Sequence, residues 1–183
     1  MAGRSEREFE EFRKVPEAAD LTGMLAVVHE RWTAARGDNW APTWGQFALE
    51  TLPPRVIPWC VAVNVHGDAE DFTCRFWGTE RGRLQGQELT GRSICEFQPA
   101  SMADVIRDEC REIVASRRPM WVRKRHETPA GLELGFESLR VPLSDGAEAV
   151  AVILSIARSE TLTSENYRYF GTEPPLALTL SED

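Results

Sequence analysis

Residues Ala149 to Ala157 read Ala-Val-Ala-Val-Ile-Leu-Ser-Ile-Ala and present almost no polar face. A half-buried strand alternates apolar and polar side chains, because successive Cβ atoms point to opposite faces of the sheet. A run in which Ser155 is the one polar side chain does not alternate, so both of its faces need cover. It is about half the length needed to cross a bilayer. The run therefore predicts the central strand of a sheet with material packed on both sides.

The strands around it are legible by the same period. Trp59 to Val65 alternates larger apolar side chains with smaller or polar ones, His66-Gly67-Asp68 marks a turn, and Phe72 to Gly78 returns as the second arm of a hairpin. Trp121 to Glu127 and Leu132 to Leu143 form two more strands, with turns at Thr128-Pro129-Ala130-Gly131 and Ser144-Asp145-Gly146. Two segments follow the helical period instead. Leu21, Met24, Leu25, Val28 and Trp32 make one apolar stripe, closed by Gly37. Met102, Val105, Ile106, Cys110, Ile113 and Val114 make another, opened near Ser101 and ended by Pro119. Residues 37–58 are turn-rich with a short helical turn after Trp44, and Gly78 to Gly91 is too broken for a long helix. Residues 1–14 read as a solvated tail and residues 158–183 as an extended acidic one. The expected division is a tail and amphipathic helix over 1–36, one domain over 37–158, and an acidic C-terminal tail over 159–183.

Composition excludes several classes. Of 183 residues, 21 are Lys or Arg and 29 are Asp or Glu, a net charge of −8 that disfavours nucleic acid as a partner. Six Trp and eight Phe supply enough apolar surface to offset chain entropy, so disorder of the whole chain is not expected. The four cysteines form no C-x-x-C, and the charged N-terminus has no apolar signal core. A cytoplasmic protein with reduced thiols and no membrane contact is expected.

The order is helix, two strands, a broken helical stretch, a long helix and three strands. With the phrases Arg31-Trp32-Thr33-Ala34-Ala35-Arg36-Gly37, Phe72-Thr73-Cys74-Arg75-Phe76-Trp77-Gly78-Thr79 and Gly86-Gln87-Glu88-Leu89-Thr90-Gly91-Arg92, it resembles a largely uncharacterised proteobacterial PAS-like family over about residues 21 to 158. The resemblance implies an α+β fold: a PAS-like five-stranded antiparallel sheet with helices on one face, here with the N-terminal amphipathic helix added. It also implies a stand-alone sensory or regulatory module in signal transduction, binding a small ligand or relaying a signal through protein contacts. Fold alone does not fix function. With no room for an output domain after residue 158, a separate output protein is expected as partner.

Pocket candidates between the sheet and the long helix are Val61, Val63, Phe76, Trp77, Phe97, Ile106, Cys110, Phe136 and Leu154, with the proviso that a bulge would reverse face assignments. Arg75, Arg123 and Arg125 are candidates for an anion or an acidic partner, set against the plainer reading of strand cations paired to Glu133 and Glu137 on the next strand. Haem and flavin are not supported. The long helix offers no His, and Thr73-Cys74-Arg75-Phe76-Trp77 falls on a strand and lacks the Asn of a flavin-adduct phrase. No metal-binding His spacing, nucleophile elbow or phosphate loop occurs, so no catalytic residues are assigned and an enzyme is not expected. Two alternatives stand beside the sensor. One is a ligand-free scaffold, dimerising through the Leu21 to Trp32 stripe, the route by which a homodimer is expected. The other is a small cone-shaped α+β enzyme of isomerase or dehydratase type, relying on His126, Glu137 or Asp104.

Overall fold

In the computed structural model, residues 10–67, 69, 71–127 and 133–175 are described. In chain order the elements are β1 (Glu10–Lys14), α1 (Gly23–Arg36), α2 (Trp44–Phe47), β2 (Cys60–His66), β3 (Asp71–Trp77), α3 (Thr79–Gln85), α4 (Ala100–Ser116), β4 (Met120–Glu127), β5 (Glu133–Ser144), β6 (Val150–Ala157) and α5 (Ser164–Tyr169). The strands form one antiparallel sheet in the order β1-β4-β5-β6-β2-β3. The apolar run is β6, held between β5 and β2, and every residue of it from Val152 to Ala157 is buried.

Both faces of the sheet are covered, as the lack of alternation in β6 demands. On one face Leu139, Val141, Leu154 and Ile156 meet Leu25, Val28 and Trp32 of α1. Each such side chain contributes about 1.5–3 kcal/mol relative to exposure. The indole Nε1 of Trp32 donates to the Pro142 carbonyl at 2.7 Å, which ties α1 to β5. On the other face Val61, Val63, Val122 and Ile153 meet Ile106, Cys110 and Ile113 of α4. The long helix therefore clasps the sheet as the resemblance implies, and α1 backs the opposite side.

Four expectations are corrected. The sheet has six strands, because Glu10–Lys14 is not a solvated tail but an edge strand paired with β4 from Glu10↔Arg125 to Lys14↔Trp121. Phe12 packs edge-on against Trp121 at 5.7 Å between ring centroids, an apolar anchor in a charged stretch. The segment after residue 158 is not wholly extended: Leu162 and Tyr167 are buried, and α5 packs beside α3 and β5. The apolar stripe of α1 is occupied by the chain's own sheet, so that stripe is not free to pair with a second copy. Residues 1–9, the turn at 128–131, Leu132 and residues 176–183 lie outside the described residues. No helix among the described residues is long and apolar enough to cross a membrane.

Candidate functional site

Two glycines set the position of α3. Gly78 is its N-cap, and a Cβ there would lie 2.2 Å from the Pro58 carbonyl oxygen and 2.7 Å from that of Cys60. Gly86 closes the helix with φ +64°, the left-handed turn that favours glycine. So confined, α3 buries Arg81, Leu84 and Gln85 against the body of the protein.

Arg81 lines two small cavities between the sheet and the helices. The larger, ≈60 Å³, is bounded by Leu84, Ile106, Lys124, Phe136, Arg140 and Phe170 among others. The smaller, ≈20 Å³, is bounded by Val61, Val63, Trp77, Phe97, Cys110 and Ser155 among others. Arg81, Ile106 and Arg140 border both and form the partition between them.

The wall is strongly charged. Glu109 projects from the buried stripe of α4 with no solvent exposure. Arg140 of β5 donates from Nε to its Oε2 at 2.8 Å and also from Nη2. Lys124 of β4 places Nζ 2.5 Å from the other carboxylate oxygen. Arg140 Nη1 donates to Ser155 Oγ at 2.9 Å. Ser155, the one polar side chain of the central strand, is thus an acceptor for this network. Burial pushes the Glu109 carboxyl up, but Arg140 and Lys124 outweigh it and hold it well below the usual carboxylate range.

Arg81 has no such carboxylate. Burial, with Arg140 nearby, brings its guanidinium down to about 10, so it is still charged at neutral pH. Its Nε is buried and meets no hydrogen-bond partner among the described residues; the same holds for Trp77 Nε1 and Gln85 Oε1. Leaving a buried polar atom unpaired costs about 1–3 kcal/mol, so three on the walls of two adjoining cavities call for an occupant.

The expected pocket residues divide. Val61, Val63, Trp77, Phe97, Ile106 and Cys110 surround the smaller cavity, and Phe136 the larger. Phe76 and Leu154 are corrected: both belong to the opposite core, under α1. Leu154 pairs with Ala62, whereas Val61 and Val63 pair with Ser155 and Ile153, and a one-residue step in a strand changes face. Phe76 is turned by a bulge. Ala62 pairs with Phe76 but Val63 with Cys74, which leaves Arg75 as the extra residue.

The strand arginines face away from the cavities. Arg75 donates to Asn64 Oδ1 at 2.7 Å and lies over the Trp44 ring at 4.9 Å. Arg123 lies over Trp121 at 4.4 Å and 3.8 Å from Glu137, the cross-strand pairing of the plainer reading. Arg125 is exposed. Glu137 accepts from Trp121 Nε1 at 2.7 Å and Arg158 Nη1 at 2.8 Å, and Asp104 pairs with Arg107 at 2.9 Å on the surface. The side chain of His126 lies outside the described residues. Burial pushes the thiols of Cys60 and Cys74 up to about 12 and that of Cys110 to about 11, as small apolar fillers. Cys95 is exposed, with Arg107 Nη1 3.4 Å from its sulfur.

Sequence reading missed Arg81, Glu109 and Arg140; Lys124 belongs to the run of strand cations with Arg123 and Arg125, on the opposite face of β4. A signal existed for Glu109, an acid between Ile106 and Ile113 on an apolar helix face. Another existed for Arg140, which points to the α4 side while its neighbours Leu139 and Val141 point to α1. None marked Arg81 in its polar, glycine-broken segment.

The fold so described is a PAS-like α+β sheet with helices over both faces. No protein-family profile matches the sequence, and no curated protein does. Solved structures similar to the chain include an RNA-binding Light-Oxygen-Voltage receptor, at 16% identity and TM-score 0.48, covering 89% of this chain and 41% of that one. VqmA bound to DPO matches at 15% identity and TM-score 0.43, over 57% of this chain and 53% of that one. The PAS domain of a protein from Colwellia psychrerythraea matches at 18% identity and TM-score 0.40, over 56% of this chain and 85% of that one. The chain thus spans about half the length of the first two.

Proposed function

We propose that this chain is a sensory or regulatory module that holds a small molecule between its sheet and the α3–α4 layer. The observation that carries the reading is the unpaired polar set, Arg81 Nε, Trp77 Nε1 and Gln85 Oε1, buried on the walls of adjoining cavities. A core needed only for stability is better served by apolar side chains at such positions. The ligand acts by population shift: it adds contacts to α3 and so biases where that helix and α5 rest. Leu84 of α3 and Tyr167 of α5 share one small core, and Thr172 Oγ1 donates to the Leu84 carbonyl at 2.8 Å. A change at Arg81 is thereby passed to the surface after β6, where a separate output protein would read it.

Native mass spectrometry of purified protein, before and after gentle denaturation, tests the reading alongside a thermal-shift screen of neutral and charged metabolites. A retained molecule, or a saturable rise in melting temperature, is expected. Absence of both overturns it and leaves a protein-contact role.

A further inference from the structure

The charges around the cavities do not balance, and the imbalance has a chemical sign. Arg81, Lys124 and Arg140 are largely or fully buried and share one carboxylate, Glu109, which Arg140 and Lys124 already occupy. The nearby Glu137 is engaged by Arg158 and Trp121. Arg81 is therefore a cation 92% buried (8% exposed) with its Nε unpaired, bordering both cavities. A guanidinium has donors and no acceptor, and an indole N–H is likewise donor only. Trp77 offers its donor to the smaller cavity, while Arg81 borders both, so its guanidinium can also receive an anion whose body lies in the larger one.

We infer that the ligand is a small organic monocarboxylate, its carboxylate taken by Arg81 and its carbon chain lying against Leu84, Ile106 and Phe136. The inference rests on the reading of the cavities as a ligand site and adds the class of ligand. One unpaired guanidinium matches one negative charge. A phosphate dianion would bring a second charge and further oxygens into a wall whose other cations are taken. The apolar side chains on the larger cavity suit a hydrocarbon body, and ≈60 Å³ restricts it to a few carbons. A cavity that admits benzene measures about 150 Å³. Binding converts a buried unpaired cation into a charge-assisted pair, so ligand and α3 become ordered together.

Isothermal titration of the full chain with propionate and butyrate, against propionamide and butyramide at matched ionic strength, tests the class of ligand. At least one acid is expected to bind saturably and its amide not to. Arg81→Gln is expected to weaken that acid about 10- to 100-fold, the worth of one hydrogen bond to a charged group. The same variant, without ligand, should melt no lower than wild type, since it loses an unpaired buried charge. If the amides bind as well as the acids, or Arg81→Gln binds the acid unchanged, the anion inference is overturned while the ligand site stands. If no acid binds but a neutral metabolite is retained or shifts melting, the inference likewise fails alone. If nothing binds and no molecule is retained, both readings fall. The acid-against-amide comparison uses wild-type protein, so it decides the matter even if the variant does not fold.

Discussion

Replacing Glu109 with Gln isolates the balance on which the cavity wall depends. The carboxylate is fully buried and is the shared partner of Arg140, itself 7% exposed, and Lys124. Glutamine keeps the shape and one acceptor oxygen but removes the charge, leaving two cations facing each other across an uncharged amide. Breaking a buried ion pair from one side costs about 3–5 kcal/mol. For a domain of this size each kcal/mol moves the melting temperature by about 2–4 °C, so a fall of roughly 6–20 °C is expected at neutral pH. The pH dependence follows from the same charge. The folded carboxyl has a depressed pKa, so below about pH 5 the unfolded chain binds more protons than the folded one. The stabilisation from Glu109 is therefore complete above the unfolded pKa and is lost as pH falls through the folded value. Urea unfolding followed by circular dichroism from pH 7 to pH 3 should show wild type losing its advantage over Glu109→Gln as acid is added. A variant within about 1 kcal/mol of wild type at pH 7, or a gap that widens in acid, would refute the argument that this carboxylate offsets two buried cations.

Three further outcomes follow from single contacts. Gly78→Ala places a methyl against the Pro58 and Cys60 carbonyls, so α3 must shift. A loss of about 1–3 kcal/mol in denaturant unfolding is expected, together with weakened binding of whichever acid binds wild type. Trp32→Phe leaves the Pro142 carbonyl without its indole donor inside the α1 core, costing about 1–3 kcal/mol in the same assay. Iodoacetamide on native protein should modify Cys95 alone, with Cys60, Cys74 and Cys110 reacting after denaturation, as peptide mass mapping will show.

The strands and the two long helices were legible because each announces itself locally. β6 has no polar face, α4 repeats its apolar residues at the helical spacing, and the bounds of β2 to β6 read from sequence fall within a residue of those observed. What stayed hidden depended on pairing between distant segments. β1 reads as a charged tail because its fit to the sheet comes from Phe12 on Trp121 and Lys14 on Asp20, neither of which is a periodic pattern. The faces of Phe76 and Leu154 turned on one bulge in the β2–β3 pairing and on a register between β2 and β6. A single residue inserted into a strand exchanges everything beyond it from one core to the other.

The candidate site was hidden for a more general reason. Arg, Lys and Glu in a strand or helix are ordinarily solvated, so sequence directs attention to Arg123 and Arg125, which are exposed, while Lys124 between them turns inward to Glu109. The cations that matter are dispersed: Glu109 and Arg140 are 31 positions apart, and Arg81 comes from a third element. Only folding brings them to one wall. That wall works against stability, since buried ion pairs rarely outperform apolar replacements and an unpaired buried guanidinium never does. Stability alone therefore gives no reason for Arg81 to lie beneath α3, with the indole of Trp77 unpaired beside the same cavity. The proposed carboxylate ligand would supply one, because the cost of burying an unpaired guanidinium would return as affinity on binding. The unliganded Arg81→Gln protein should accordingly be the steadier fold and the poorer binder, a combination that a purely structural role for Arg81 does not produce.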